Sequence, residues 1–336
     1  MFSFIERGSI KPIAEIVNDK GKGSGKFLYL HRKVDNGIFP KGFFDEITLN
    51  EGEKFSWIPD IRESFNDAIC ISAPKGSGKS TLASNIAMKI KKVFNLTDDD
   101  VIVCKKSNIE DPAFASLNPQ YVYINDDFLE NPLTCDEISP DKSPKVVILD
   151  DLDTINSKAL KDCAIKFTNS LLEEGRKYNI YIIIANHHMA SGLSTKAILS
   201  ESDYLTFFPE SVTSDFRYAL QKYCDMPISV IRDLKKIGSK WVMFQQRSPR
   251  FILSEKRAVI YDLDREQKRI KEEEMIQKES NKNRAILSSR LKSGNGLKSN
   301  GLKGNKLTSK FSKSIKDLRI ISDEDEDSMI SSDEYE

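Results

Sequence analysis

The chain has 336 residues, about two domains' worth, with 51 Lys+Arg against 51 Asp+Glu and a hydrophobic fraction of 39%. Its longest apolar runs are about six residues, far short of the roughly 18 a membrane helix needs, and Met1–Ile10 carries neither a basic segment nor a long apolar core, which argues against a secretory leader. Five widely spaced cysteines (Cys70, Cys104, Cys135, Cys163, Cys224) with no CxxC pair read as buried thiols in a reducing compartment, and the expectation is a soluble intracellular protein.

Residues 1–55 mix short apolar runs such as Phe27–Leu30 and Ile38–Pro40 with Gly and Pro, and predict a β-rich extension. The stretch Gly21–Lys26 (GKGSGK) imitates a phosphate loop. It is read as a decoy, because Phe27 follows where Ser or Thr is needed and no strand is expected to run into it.

From 56 to 263 the pattern is β/α. Apolar runs at 68–72, 101–104, 121–124, 146–149 and 181–185 read as buried strands of a parallel sheet. Two helical patterns with i, i+3, i+4 spacing lie among them: Leu82, Ile86, Ile90, Val93, Phe94, and Leu160, Cys163, Ala164, Phe167, Leu171, Leu172. Further strands are expected at 204–208 and 241–246, with helices around 215–223 and 227–236 and a stop at Gly238. The predicted fold class is α/β, with a mostly parallel central sheet flanked by helices and a disordered C-terminal tail. Residues 264–279 are nearly all charged. Then 281–320 carry a net charge of +10 and 321–336 a net of −8, so 264–336 reads as a charged helix followed by a disordered basic and acidic tail.

Ala73-Pro74-Lys75-Gly76-Ser77-Gly78-Lys79-Ser80 fits [AG]xxxxGK[ST], with an apolar strand running in and an amphipathic helix, starting Ser80-Thr81, running out. Gly76 and Gly78 let backbone N–H groups turn toward phosphate oxygens, Lys79 reaches the β- and γ-phosphates of ATP, and Ser80 ligates Mg²⁺. The strand Val146–Leu149 ends in Asp150 and Asp151. Asp150 suits the metal and Asp151 the orientation of an attacking water, while Asp153 reads as a solvated spare acid. The strand Ile180–Ala185 ends in Asn186, a candidate sensor of the lytic water or γ-phosphate. His187 and His188 follow, with no third metal ligand at suitable spacing. Arg176, just before this strand, is either a surface residue at a helix end or a finger aimed at a neighbouring subunit's nucleotide.

Together APKGSGKS, VVILDD and EEGRKYNIYIIIANHH resemble the FtsK/HerA superfamily of P-loop ATPases, which implies a P-loop NTPase fold of the additional-strand, catalytic-acid type. The Asn-His ending, the run from Leu199 to Pro209 and Gly238-Ser-Lys-Trp241-Val resemble its poxvirus-type packaging branch in nucleocytoplasmic large DNA viruses. The similarity covers roughly 55–255. It implies an ATP hydrolase that drives double-stranded DNA into a preformed capsid as a homo-hexameric or similar ring, docked on a capsid or virion membrane protein, in the host cytoplasm or the virion. Many superfamily members carry Glu at the position of Asp151, and Gln at that of Asn186. Competing readings are a HerA-like DNA-processing translocase, an AAA+ remodelling ATPase, a P-loop nucleotide kinase, and a scaffold that keeps a nucleotide only for structure. An Arg before the sensor strand weighs against AAA+, the Asp pair without an Arg-rich lid against the kinase, and the intact Lys79, Ser80, Asp150 and Asp151 against the scaffold.

Overall fold

Runs of Ile, Val and Cys without polar interruption can be stable only where both faces of a strand are covered, and the core of this protein is built that way. The structure, a computed structural model, describes residues 1–6, 10–31, 42–60, 66–189, 193–211, 214–262 and scattered positions between 271 and 285. It divides into two units, Met1–Glu273 and Glu274–Glu336. In the second, the described residues Met275, Ile276, Lys278, Ser280, Asn281, Lys282 and Ala285 are helical, and the expectation for 286–336 lies outside the described residues.

The first unit opens with strands β1 (Phe2–Ser3), β2 (Pro12–Asn18), β3 (Gly23–Leu30), β4 (Glu46–Thr48) and β5 (Glu53–Trp57). Then follow β6 (Ala68–Ser72), α1 (Lys79–Phe94), β7 (Val101–Lys105), β8 (Gln120–Tyr123), the short helices α2 (Asp126–Glu130) and α3 (Cys135–Ile138), β9 (Lys145–Asp150), α4 (Lys158–Glu174) and β10 (Ile180–Asn186). The chain continues through α5 (Leu193–Glu201), β11 (Tyr204–Phe207), α6 (Ser214–Tyr223), α7 (Ile228–Leu234), β12 (Val242–Gln245), β13 (Phe251–Ser254) and β14 (Arg257–Ile260).

Among the described residues, the main sheet has the order β4-β14-β13-β12-β11-β6-β10-β9-β7-β8. From β11 to β8 all neighbours are parallel. From β11 to β4 all are antiparallel. The α/β fold is therefore as expected. The hairpin β13–β14 was not anticipated: its strands have four residues each and polar ends, Ser254 and Arg257, that hide the alternation of Phe251 and Leu253 against Ile252.

Alternation along the strands sorts the core into two layers. Ile69, Ile71, Val146, Ile148, Tyr181 and Ile183 face α1 through Ala83, Ile86, Ala87 and Ile90. The same layer holds Leu28, Phe55 and Trp57 of a small antiparallel sheet of order β1-β3-β2-β5. Cys70, Val147, Leu149, Ile182 and Ile184 face the opposite way, onto Phe167 and Leu171 of α4, Leu199 of α5, Leu220 of α6 and Ile231 of α7.

The decoy Gly21–Lys26 requires one correction. A strand, β2, does run toward it, but the next residues form the antiparallel partner β3, so Gly21, at φ 76°, serves the hairpin turn while Gly23 and Gly25 lie within β3. All five cysteines are free and buried, Cys135 included, although its neighbours in sequence are polar. Burial pushes the Cys70, Cys104 and Cys224 thiols up to about 12.

Candidate nucleotide site

The C-terminal ends of β6, β10 and β9 lie side by side, with Ser72 opposite Asn186 and Ala185 opposite Asp150. In an open parallel sheet this edge is where ligands bind, because the loops there are free to diverge and helix N-termini point at it. The turn from β6 into α1 requires positive φ at Gly76 (82°) and Gly78 (91°). A Cβ at Gly76 would meet nothing within 4 Å, so backbone conformation rather than space selects glycine there. Ser77 Oγ donates to the Pro74 carbonyl (2.8 Å) and tightens the turn, while Pro74, Lys75 and Thr81 are exposed and Ala73 is buried.

Lys79 is only 5% exposed. Its Nζ pairs with Asp151 Oδ1 and donates to the Ala185 carbonyl at 3.4 Å. Burial lowers its pKa, while Asp150 and Asp153 pull it back up. Ser80 Oγ lies 3.4 Å from Asp150 Oδ1. Burial pushes the Asp150 carboxyl above its usual range despite the opposing pull of Lys79 and Lys105. A hydroxyl beside a buried carboxylate is the donor set of a hard divalent cation, so these two residues fit Mg²⁺.

Asp151 leaves the strand in the left-handed region (φ 55°), and its N–H donates to the Ala185 carbonyl at 2.9 Å. That turn aims its carboxylate at Lys79 on one oxygen and at His187 Nε2 on the other, the latter at 3.2 Å. Asn186 is 8% exposed and its Oδ1 is buried without a hydrogen-bond partner. An orphaned buried acceptor at a strand end suits a sensor that waits for a donor.

Asp153 departs from expectation. Rather than a solvated spare acid, it accepts from the backbone N–H groups of His187 (2.9 Å) and His188 (3.0 Å), clamping the loop after β10. Arg176 is not brought to this site. It lies in the turn between α4 and β10, at the opposite end of a seven-residue strand and so about 20 Å away, with its side chain 52% exposed and 3.8 Å from Asp203 Oδ1.

Two residues near the site escaped sequence reasoning. Lys105 ends β7 opposite Asp150, is 6% exposed, and donates to the Ile109 carbonyl at 2.8 Å. The signal was a lysine closing an otherwise apolar strand. His187 was weighed only as a metal ligand, and its contact with Asp151 depends on the loop that Asp153 holds.

A family model for the "ATPase family associated with various cellular activities (AAA)" matches residues 69–208. The uncharacterized protein V3 of Sputnik virophage is 30% identical over 258 residues, covering 76% of this chain and 98% of its own. The chain belongs to the V3 family. Among solved structures, the DNA-packaging ATPase B204 from Sulfolobus turreted icosahedral virus matches at 15% identity and a TM-score of 0.40, over 58% of this chain and 98% of its own. The cytoplasmic domain of the type VII secretion ATPase EccC from Thermomonospora curvata matches at 12% identity and a TM-score of 0.39, over 75% of this chain and 29% of its own. This chain carries a P-loop followed by an acid-ended strand, and its fold is that of a P-loop NTPase. No helix among the described residues is long and apolar enough to cross a membrane.

Proposed function

We propose that this chain hydrolyses ATP to drive double-stranded DNA through a ring of identical subunits, and that the work packages a viral genome. The hydrolytic part rests on one observation: Lys79, Ser80, Asp150 and Asp151 converge at the end of the parallel strands. In this reading the Gly76–Ser80 backbone cradles the phosphates and Lys79 supplies charge to the β- and γ-oxygens. Asp151 orients the attacking water, and Asn186 donates its amide N–H to the γ-phosphate or accepts through Oδ1 from the lytic water. Mg²⁺, held by Ser80 and Asp150, would neutralise the charge developing on the phosphate oxygens.

The ring and the DNA rest on motif resemblance and on Arg176. An exposed guanidinium at the far end of the sheet has no route to its own subunit's phosphates, so a role as a finger requires a neighbour. Packaging would put the protein in the infected cell and at a capsid or virion membrane protein. The AAA family match favours a second reading, a remodelling ATPase that acts on protein. ATP turnover with and without long duplex DNA separates the two. Several-fold stimulation is the expected result, and turnover indifferent to DNA at every salt concentration would remove the translocase reading.

A further inference from the structure

Lys79 and Asp151 neutralise each other. Triphosphate oxygens compete for the same ammonium, and a carboxylate that loses its lysine needs another anchor if it is to hold a water in line. His187 supplies one. Its Nε2 lies 3.2 Å from Asp151 Oδ2, the oxygen that does not face Lys79. The ring also lines a small pocket with Ala73 and Pro74, at the start of the phosphate loop, so it sits between the loop and the acid. Its own backbone is fixed, because Asp153 accepts from the N–H groups of both His187 and His188. A ring set against the carboxylate, with its main chain clamped beneath it, is an arrangement that sets the direction of its neighbour.

We propose that His187 is the positioning residue of the hydrolytic acid: it holds the Asp151 carboxylate in place when ATP phosphates claim the Lys79 ammonium. This deepens the ATPase reading and rests on it. His187 need not touch the nucleotide, so its loss should slow turnover without weakening binding.

The test uses the full chain with wild type, Lys79→Ala, His187→Ala and His187→Gln, measuring kcat and KM for ATP and the affinity of a fluorescent non-hydrolysable ATP analogue. His187→Ala should lose about 100-fold in kcat, the scale of a misplaced reacting group, with KM and analogue affinity within about threefold of wild type. His187→Gln can still donate an N–H to the carboxylate and should recover part of that loss. A kcat for His187→Ala within twofold of wild type would overturn the proposal, as would a loss confined to KM and analogue affinity. Lys79→Ala keeps the two readings apart. If wild type is inactive, or Lys79→Ala turns over as wild type does, the ATPase reading itself fails; if only Lys79→Ala is dead, the ATPase stands and His187 has no such role.

Discussion

Asp151 carries two burdens that a single substitution separates. Its charge pairs with Lys79, and in the proposed ATPase reading its geometry orients water. Asp151→Asn removes the charge and keeps the shape, so kcat should fall by about 100-fold or more. Analogue affinity should hold or rise, because the neutral amide no longer competes for the ammonium. Stopped-flow binding beside steady-state turnover checks both limbs, and wild-type turnover would transfer the role to another acid.

A second acid acts on stability. Asp67 is buried (3% exposed), and burial, reinforced by Asp203, pushes its carboxyl up to about 8. A carboxyl raised in the folded state binds its proton more tightly there than in the unfolded chain. Its contribution is therefore fully present below the unfolded value of about 4 and is lost as pH rises toward 8. Asp67→Asn retains an acceptor for the Asp60 N–H and has no charge to bury. The variant should gain on the order of 1–3 kcal/mol relative to wild type between pH 5 and pH 8.5. Urea midpoints at the two pH values measure it, and parallel curves for the two proteins would refute it.

At the scale of elements, β10 has different chemistry at its two ends. Asn186 closes its C-terminal end beside Ser72, and Arg176 precedes its N-terminal end. A strand cannot bend back on itself, so these residues serve different nucleotides if both serve one. Mixing Arg176→Ala with Asp151→Asn should restore part of the activity that each lacks alone, since some interfaces then join an intact acid to an intact arginine. Activity at a series of mixing ratios, with assembly followed by light scattering, reads this out, and no recovery at any ratio in assembled protein would count against a finger in trans. The strands β6, β9 and β10 were legible because every residue from Ala68 to Ser72, and from Ile180 to Asn186, is buried, so apolarity is continuous. The strands β2 and β14 were not. Each is only partly covered: Glu15 interrupts β2, and Arg257 opens β14 and leaves only three apolar residues, too short a run to read.

Across the whole chain, zero net charge conceals a block of +10 over 281–320 and one of −8 over 321–336. The first holds a single aromatic, Phe311, so phosphate attraction would outweigh base stacking. Engaging about half of its charges predicts a log–log salt slope of roughly −4 to −5 on duplex DNA. The acidic block competes for the same cations, so truncation at residue 320 should bind most tightly, the full chain next, and truncation at 280 most weakly. Fluorescence anisotropy across a salt series orders the three, and equal slopes for the 280 and 320 truncations would exclude the basic block from DNA binding.

The phosphate loop, the acid-ended strand and the polar strand end were readable from residue order because their chemistry is local. Glycine's freedom at positive φ, the hydroxyl after Lys79 and the acids after Leu149 do the same thing wherever the chain places them. What tertiary structure alone decided were the pairings between distant residues. Lys79 meets Asp151, Asp153 clamps His187 and His188, and Lys105 comes to lie opposite Asp150, because parallel register aligns strands that are far apart in the chain. Register follows from burying both faces of the sheet at once, a condition on the whole fold that no short stretch of sequence contains.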